Sequence, residues 1–265
     1  MPLTNLREFL EERCHIPAGE PLVVAVSGGP DSLSLLDTLY RQGYHPIVAH
    51  FDHQLRPDSA KDATCVAAYS QERGLEFVLG REDVAALAAR EGLSTEEAAR
   101  KARYRFLFQV ARDRKARAVL TGHTADDQAE TVLMHFIRGS GLAGLRGMEA
   151  CVVMPEWDES IPLVRPLLDV WRSETETYCR QQGLKPLIDE TNTDVAYFRN
   201  RLRHQLLPEL EKYNPQIRQA LVHTASVLQA DEAVLREATR KAWAECVHQV
   251  GEGFVVFDRD LFNAQ

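Results

Sequence analysis

The sequence has 265 residues, of which 45% are hydrophobic and 26% are charged, and its formal net charge is −8. This length suits one sizeable α/β core with a smaller appendage. The acidic balance argues against indiscriminate nucleic-acid binding but leaves room for a local basic face. No apolar run approaches the ~20 residues of a membrane helix and no secretion signal starts the chain, so we expect a cytoplasmic protein with no membrane contact. The five cysteines lie far apart without C-x-x-C spacing, and we expect reduced thiols.

Short apolar runs alternate with helix-period segments through roughly the first 180 residues. The predicted strands are LVVAVS, PIVAHFD, EFVLG and AVLTG. The predicted helices begin at Asp31, Ser59, Asp83, Ser94 and Thr124. This βαβα order predicts an α/β fold with a doubly wound parallel sheet, covered by helices on both faces.

The pattern changes after the fourth strand. Between Glu149 and Arg165, prolines surround EWDES, which predicts a loop or a short exposed hairpin. Helices follow over VWRSETETYCRQQG, from about Arg199, and from Pro215 to about Val250, and GFVVFDRDLFNAQ is interpreted as a strand that stops. We therefore predict one domain over residues 1–212 and a smaller, mainly helical, truncated domain over 213–265.

The stretch SGGPDS lies where the first strand turns into the first helix of the sheet. In an open parallel sheet, ligands bind beyond the carboxyl ends of the strands. Gly28 and Gly29 let backbone N–H groups approach an anion, and Ser27 and Ser32 add hydroxyl donors. Asp31 is suited either to cap the helix or to hold Mg²⁺ on a phosphate. The alternative is a glycine-rich turn that binds nothing.

This turn lacks the lysine of a Walker A loop, G-x-x-x-x-G-K-[ST], which holds the β and γ phosphates during γ-phosphoryl transfer. The G-x-G-x-x-G fingerprint of dinucleotide-binding folds is absent too. A phosphate cradle without that lysine favours attack at the α-phosphate and release of pyrophosphate.

The motif S-G-G-x-D-S resembles the PP-loop of the N-type ATP pyrophosphatases. Further segments resemble the tRNA(Ile)-lysidine synthetases of that superfamily, and the most specific of them runs from Gly122 to Gly147 with RGSGLAGL. Two positions depart from the family pattern: Gln54 stands where glycine is expected, and Thr191 where serine is usual. The other matching segments are HFDHQLRPDSAKDA, STEEAARKARYRFL, VRPLL and LIDETNTDVAYFRNRLRHQLLPEL.

The resemblance implies an adenine nucleotide α-hydrolase-like PP-loop fold and an ATP-dependent ligase. The family adenylates O2 of cytidine 34 in tRNA(Ile) with a CAU anticodon, and an amine of free L-lysine then attacks C2 and expels AMP, which gives lysidine. ATP and Mg²⁺ are the implied cofactors, and tRNA(Ile) and free L-lysine are the implied partners. The resemblance leaves room for a homodimer, although the sequence does not give the oligomeric state.

The resemblance also assigns roles to particular residues. Asp31, Arg103 and Asp127 are the catalytic candidates, and Asp31 and Asp127 are the Mg²⁺ ligands. tRNA or substrate contacts fall on Arg138, Arg199, Asn200 and Arg203. ATP binding falls on Ser27, Gly28, Gly29, Pro30, Asp31, Ser32, Gly122 and His123.

Simpler interpretations of these residues stay open. Asp127 belongs to a T-x-x-D helix start, so it is also suited to capping alone. His50 and His53, with Asp52 between them, lack the third ligand of a zinc site. Two other functions remain: a tRNA thiolase of the same superfamily, disfavoured by the missing C-x-x-C, and a non-catalytic ATP-binding module.

Overall fold

The computed structural model describes residues 5–55, 59–187 and 198–263. Its strands are β1 (Leu22–Ala25), β2 (Ile47–Asp52), β3 (Phe77–Arg81), β4 (Ala118–Thr121), β5 (Cys151–Val153), β6 (Pro162–Val164), β7 (Val247–Gly251) and β8 (Phe254–Phe257). Its α-helices are α1 (Leu6–Glu8), α2 (Pro30–Arg41), α3 (Ser59–Glu72), α4 (Val84–Glu91), α5 (Thr95–Asp113), α6 (Ala125–Ile137), α7 (Leu142–Leu145), α8 (Arg172–Gln181), α9 (Phe198–Arg201), α10 (Leu207–Glu211), α11 (Ile217–Cys246) and α12 (Arg259–Phe262). Short π-helical turns follow α1 and α9, over Phe9–Arg13 and Leu202–Leu206.

Six strands form one sheet in the order β3-β2-β1-β4-β6-β5. Pairing is parallel from β3 to β6, and only the β5–β6 pair is antiparallel. The strand order reverses at β1 and β4, since β2 and β3 lie on one side of β1 and the later strands on the other. The predicted doubly wound sheet is confirmed, and this reversal creates the crevice where such sheets bind ligands.

Side chains of alternate strand residues fill two separate cores. Leu22 and Val24 of β1 belong to a core that includes apolar residues of α2, whereas Val23 belongs to one that includes Tyr104 and Phe108 of α5. All five of these side chains are buried. Helices therefore cover both faces, which explains why the strands are continuously apolar rather than alternating.

The segment between Glu149 and Arg165 forms a hairpin, but the expected exposure is wrong for its second strand. Leu163 and Val164 of β6 are fully buried, because β6 pairs with β4 and extends the main sheet. The three residues of β6 are too few to show the alternating pattern of a strand. The sequence therefore predicts the turn before β6 but not its pairing with β4.

Near the end of the chain, the structure has a strand pairing that the sequence did not predict. The expected isolated strand, β8, forms an antiparallel hairpin with β7, in a stretch that was predicted to lie at a helix end. Gly253 has φ +81° and permits the tight connection between the two strands.

The chain divides into two compact units. The first unit comprises Met1–Gln128 and Glu149–Asn200, and the second comprises Ala129–Met148 and Arg201–Gln265. These bounds differ from the predicted division after residue 212, which stays a prediction. Within the described ranges, no helix is long and apolar enough to cross a membrane.

Candidate ATP-pyrophosphatase site

The loop between β1 and α2 is held by hydrogen bonds among its own residues. Gly28 N donates to the Ser32 hydroxyl at 3.2 Å, and Gly29 N donates to the Ser27 hydroxyl at 3.3 Å. The Ser32 hydroxyl in turn donates to Gly29 O at 3.1 Å. Gly29 is the N-cap of α2 and Pro30 occupies its first turn, where the missing N–H costs nothing. The positive end of α2 is thereby presented at the carboxyl edge of the sheet.

Two glycines are required in this region by geometry. Gly28 has φ +93°, and a Cβ there would lie 2.5 Å from Leu187 Cδ1. A Cβ on Gly122, after β4, would lie 3.1 Å from Asp31 C and Ser32 N. The loop after β4 therefore lies directly against the start of α2. The residues predicted to bind ATP in these two loops are therefore neighbours.

Asp31 and Asp127 face the same arginine, Arg172 at the start of α8. Arg172 Nε lies 3.2 Å from Asp31 Oδ2, and Arg172 Nη2 lies 3.5 Å from Asp127 Oδ1. Thr175, one turn further along α8, donates its hydroxyl to Asp31 Oδ1 at 2.5 Å. A single cationic group thus reaches both predicted Mg²⁺ ligands, and carboxylate oxygens are the donors that Mg²⁺ prefers. The donor set fits the ion.

Asp127 caps its own helix as well as facing these cations. Its Oδ2 accepts the Thr124 backbone N–H at 2.9 Å and the Thr124 hydroxyl at 3.1 Å. Arg199 Nη2 lies 3.2 Å from Asp127 O and 3.5 Å from Asp127 Oδ1. The capping interpretation is therefore correct, yet the second oxygen of the same carboxylate points to arginines. One residue serves both purposes.

The pKa values of the two carboxyl groups are shifted in opposite directions. Burial opposes ionisation of Asp127, but the charges of Arg199 and Arg172 outweigh it and lower the pKa of Asp127 to about 2. Burial dominates at Asp31 and raises its pKa, assisted by the nearby Asp127 charge and opposed by Arg172 and Thr175. Asp127 is therefore the firmly ionised member of the pair at neutral pH.

His123 is neutral in this setting. Burial, together with the charges of Arg165, Arg103 and Arg199, outweighs the attraction of Asp127 and lowers the pKa of His123 to about 3. Its Nδ1 lies 2.8 Å from the Thr121 hydroxyl. A neutral imidazole neighbours the phosphate loop, where it is suited to hydrogen bonding rather than to carrying charge.

Arg103 lies on α5 with its guanidinium 5.5 Å from the ring of Tyr104. Among the residues that the structure describes, its buried Nε has no hydrogen-bond partner, and neither has the buried Nε of Arg165. Arg165 is only 4% exposed and donates from Nη1 to Glu149 O at 2.7 Å. Two guanidinium groups with unsatisfied donors are an arrangement suited to an anionic ligand.

His50 lies in β2, and His53 directly follows that strand. His50 Nδ1 lies 2.7 Å from Val26 O, and burial with the Arg103 charge lowers the pKa of His53 to about 4. Asp52 accepts the backbone N–H of Gln54 at 2.9 Å, and Gln54 has φ +53°, a conformation that explains why glycine was expected there. Among the described residues, no group of three or more His, Cys, Asp or Glu side chains is suited to a metal ion.

The remaining predicted residues divide between the two units. Asn200 lies beside Arg199 on α9 in the first unit, half-buried. Arg138 is exposed at the end of α6 in the second unit. Arg203, also in the second unit, forms a two-point ion pair with the buried Glu130, at 2.6 and 3.0 Å. The guanidinium of Arg203 is therefore held by a buried carboxylate rather than projecting freely from the surface.

Sequence reasoning missed Arg172, Arg165 and Glu130. Arg165 lies in the VRPLL segment that carries part of the resemblance, so a signal for it existed. Arg172 contacts Asp31 across 141 positions of sequence, and Glu130 reads as one more polar residue of a helix. Nothing in a single sequence shows such long-range partners.

Comparisons with known proteins show the family to which the chain belongs. A family model described as a PP-loop domain matches residues 3–210. The fold and site define a PP-loop ATP-binding protein. A tRNA(Ile)-lysidine synthase from Gloeobacter violaceus is 40% identical over 88% of this chain and 70% of its own length, and one from Nostoc sp. is 38% identical over 95% and 72%. The chain belongs to the tRNA(Ile)-lysidine synthase family.

Other relatives are longer than this chain. The synthase from Geobacter sulfurreducens is 40% identical over 99% of this chain but only 55% of its own length. The chain spans about half the length of the first curated relatives it matches. Among solved structures, a U34-tRNA thiolase from Methanococcus maripaludis with its [4Fe-4S] cluster has a TM-score of 0.68 at 20% identity, covering 86% of this chain and 77% of that chain. That likeness is one of fold.

Proposed function

We propose that this chain carries the catalytic part of an ATP-dependent ligase that joins L-lysine to C2 of cytidine 34 in tRNA(Ile) with a CAU anticodon. Such a reaction takes place in the cytoplasm, where its tRNA is used. The observation that carries the proposal is the joint placement of the lysine-free phosphate loop and the Asp31–Asp127 pair at one crevice. Membership of the lysidine synthase family supports the substrate.

In the first step, O2 of the cytidine attacks the α-phosphorus of ATP and pyrophosphate leaves. The start of α2 and the hydroxyls of Ser27 and Ser32 hold the phosphates. Asp31 and Asp127 would hold Mg²⁺, and a bound ion would supply Lewis-acid stabilisation of the phosphate charge. The charge of Arg103 acts on His123 beside the loop after β4, and among the described residues its buried Nε has no partner, so it is suited to a phosphate or a carboxylate.

In the second step, an amine of free lysine attacks C2 and AMP leaves. The amine must be neutral when it attacks, so its proton has to be removed. Asp127, with its pKa of about 2, is a poor acceptor and is better suited to hold a cation. Arg138, Arg199, Asn200 and Arg203 remain the proposed contacts for tRNA or substrate, and a homodimer remains a prediction.

The test is incubation with ATP, Mg²⁺, labelled lysine and a CAU-anticodon tRNA(Ile) transcript. We expect label on the RNA and formation of AMP and pyrophosphate in equal amounts. Asp127→Asn should abolish both products, whereas Arg180→Gln, on the exposed side of α8, should leave them unchanged. Formation of ADP, or of AMP without tRNA-bound lysine, would refute the proposal.

The thiolase alternative rests on fold likeness alone. It requires a sulfur source and the same tRNA adenylation, so AMP release that depends on tRNA but not on lysine would favour it. The identities of 38–40% to lysidine synthases, against 20% to the thiolase, favour lysine as the nucleophile. No nucleotide turnover with any tRNA would indicate the non-catalytic module.

A further inference from the structure

Arg172 occupies a place that the proposed reaction does not use. Its guanidinium contacts a carboxylate oxygen of Asp31 through Nε and one of Asp127 through Nη2, at 3.2 and 3.5 Å. The contacts lie on different nitrogens, so one side chain bridges two acids in the first turns of two different helices, α2 and α6. The side chain is 26% exposed and the two acids are 18% and 13% exposed.

The backbone fixes Arg172 at this point. Its N–H donates to Asp126 Oδ2 at 2.8 Å, and its carbonyl oxygen lies 2.8 Å from the Thr175 hydroxyl. That hydroxyl is the one that also contacts Asp31. Because the start of α8 is tied to both acid-bearing segments, the side chain is directed at the carboxylates by the fold rather than by chance.

Two carboxylates near one another repel unless a cation lies between them. Arg172 supplies that cation from within the chain. A divalent ion bound by the same two oxygens would bring like charge close to the guanidinium, so the two cations compete. Phosphate oxygens of ATP offer the displaced guanidinium a new partner with matching geometry.

We propose that Arg172 is the resident counter-cation of Asp31 and Asp127, which keeps a divalent ion out until ATP arrives. Without nucleotide the guanidinium neutralises the acid pair. With nucleotide it exchanges the carboxylates for phosphate oxygens, so that ion and ATP enter together. Arg172 is then a positioning residue that couples metal binding to nucleotide binding, and this role rests on the proposed function of the acid pair.

The inference is tested by measuring Mn²⁺ binding from the electron paramagnetic resonance signal of the free ion, with and without α,β-methylene-ATP. Wild type should bind Mn²⁺ weakly alone and more tightly with the analogue. Arg172→Gln should bind Mn²⁺ about tenfold more tightly without the analogue, since a unit charge within 4 Å of both ligands is removed. The analogue should then add correspondingly less.

Arg180→Gln is the matched control, because Arg180 lies on the same helix, is exposed and donates to Thr177. It removes the same net charge and should leave Mn²⁺ affinity unchanged. Arg172→Lys, a milder change, should raise the affinity about threefold, since an ammonium has no fork to reach two acids at once. Far-ultraviolet circular dichroism checks that each variant is folded.

A gain in Mn²⁺ affinity is not expected from a merely structural defect, so it distinguishes the two roles. Unchanged or weaker binding in both Arg172 variants would overturn the inference while leaving the proposed function intact. An equal gain in Arg180→Gln would also overturn it, since net charge alone would explain the effect. If wild type bound no Mn²⁺ even with the analogue, the metal role of Asp31 and Asp127 would fail, and the inference with it.

Discussion

Arg203→Ala should strongly destabilise the second unit, because it removes the two-point guanidinium contact from the buried carboxylate of Glu130. Glu130 is 1% exposed as a side chain and Arg203 is 17% exposed, and they share contacts at 2.6 and 3.0 Å. Breaking a buried ion pair by removing one member costs ~3–5 kcal/mol. Since water reaches part of the guanidinium, we expect the lower end, about 3 kcal/mol, in the free energy of unfolding from urea titration followed by circular dichroism.

The double variant Glu130→Gln, Arg203→Met separates stability from RNA binding. It removes both charges while keeping similar volume, so most of the lost stability should return. tRNA use should stay impaired if Arg203 contacts tRNA, and should recover if Arg203 only holds Glu130. Arg240→Ala, which removes an exposed pair with Glu237, is the control and should change nothing measurable. A stability of Arg203→Ala within about 0.5 kcal/mol of wild type would refute the buried-pair reasoning.

Further variants test two loops of the site and the turn between β5 and β6. Gly28→Ala should lower ATP affinity at least about tenfold in calorimetric titration, since a Cβ at φ +93° meets Leu187 and distorts the loop; unchanged affinity would contradict this. Gly122→Val should do the same by pressing on the start of α2, so normal ATP binding would show that the loops separate easily. Asp158, held by Ser160 and Ile161 backbone donors, has a pKa lowered from 3.8 to about 2. Its stabilising effect is therefore present above pH ~4 and lost as the pH falls towards 2, so Asp158→Asn should flatten acid unfolding over that range, and an unaltered pH profile would exclude the effect.

The parallel sheet was predictable because its signals are local. Apolar runs of strand length, followed by helix starts such as the Ser94 capping box, lie within short windows, and the structure has that box. The β6 pairing and the β7–β8 hairpin were not predictable in the same way. Three-residue strands carry no period, and β8 has no buried face to mark it.

Of the candidate site, only the phosphate-binding loop could be predicted from its own residues. The SGGPDS motif alone predicts a phosphate-binding turn, because glycines and hydroxyl side chains at a strand-to-helix turn are suited to binding an anion. Asp127 was recognised through the family resemblance, since its residue pattern alone allowed simple capping. The roles of Arg172 and Glu130 depend on partners that lie far away in the sequence. A single sequence does not show that these residues are in contact.

The phosphate loop lacks a Walker lysine, and positively charged arginines on other elements lie near it instead. The phosphate loop contributes N–H groups and hydroxyls, whereas the guanidinium groups near it come from α5, α8, α9 and the segment after β6: Arg103, Arg172, Arg199 and Arg165. A Walker lysine is fixed on the loop and follows the β and γ phosphates. Arginines on separate elements surround His123 and the acid pair, so their charge lies around the place where α-phosphate chemistry and an incoming nucleophile would meet. In the proposed adenylation, the loop would hold the pyrophosphate through N–H groups and hydroxyls, and the arginines of the other elements would lie nearer the reacting α-phosphate.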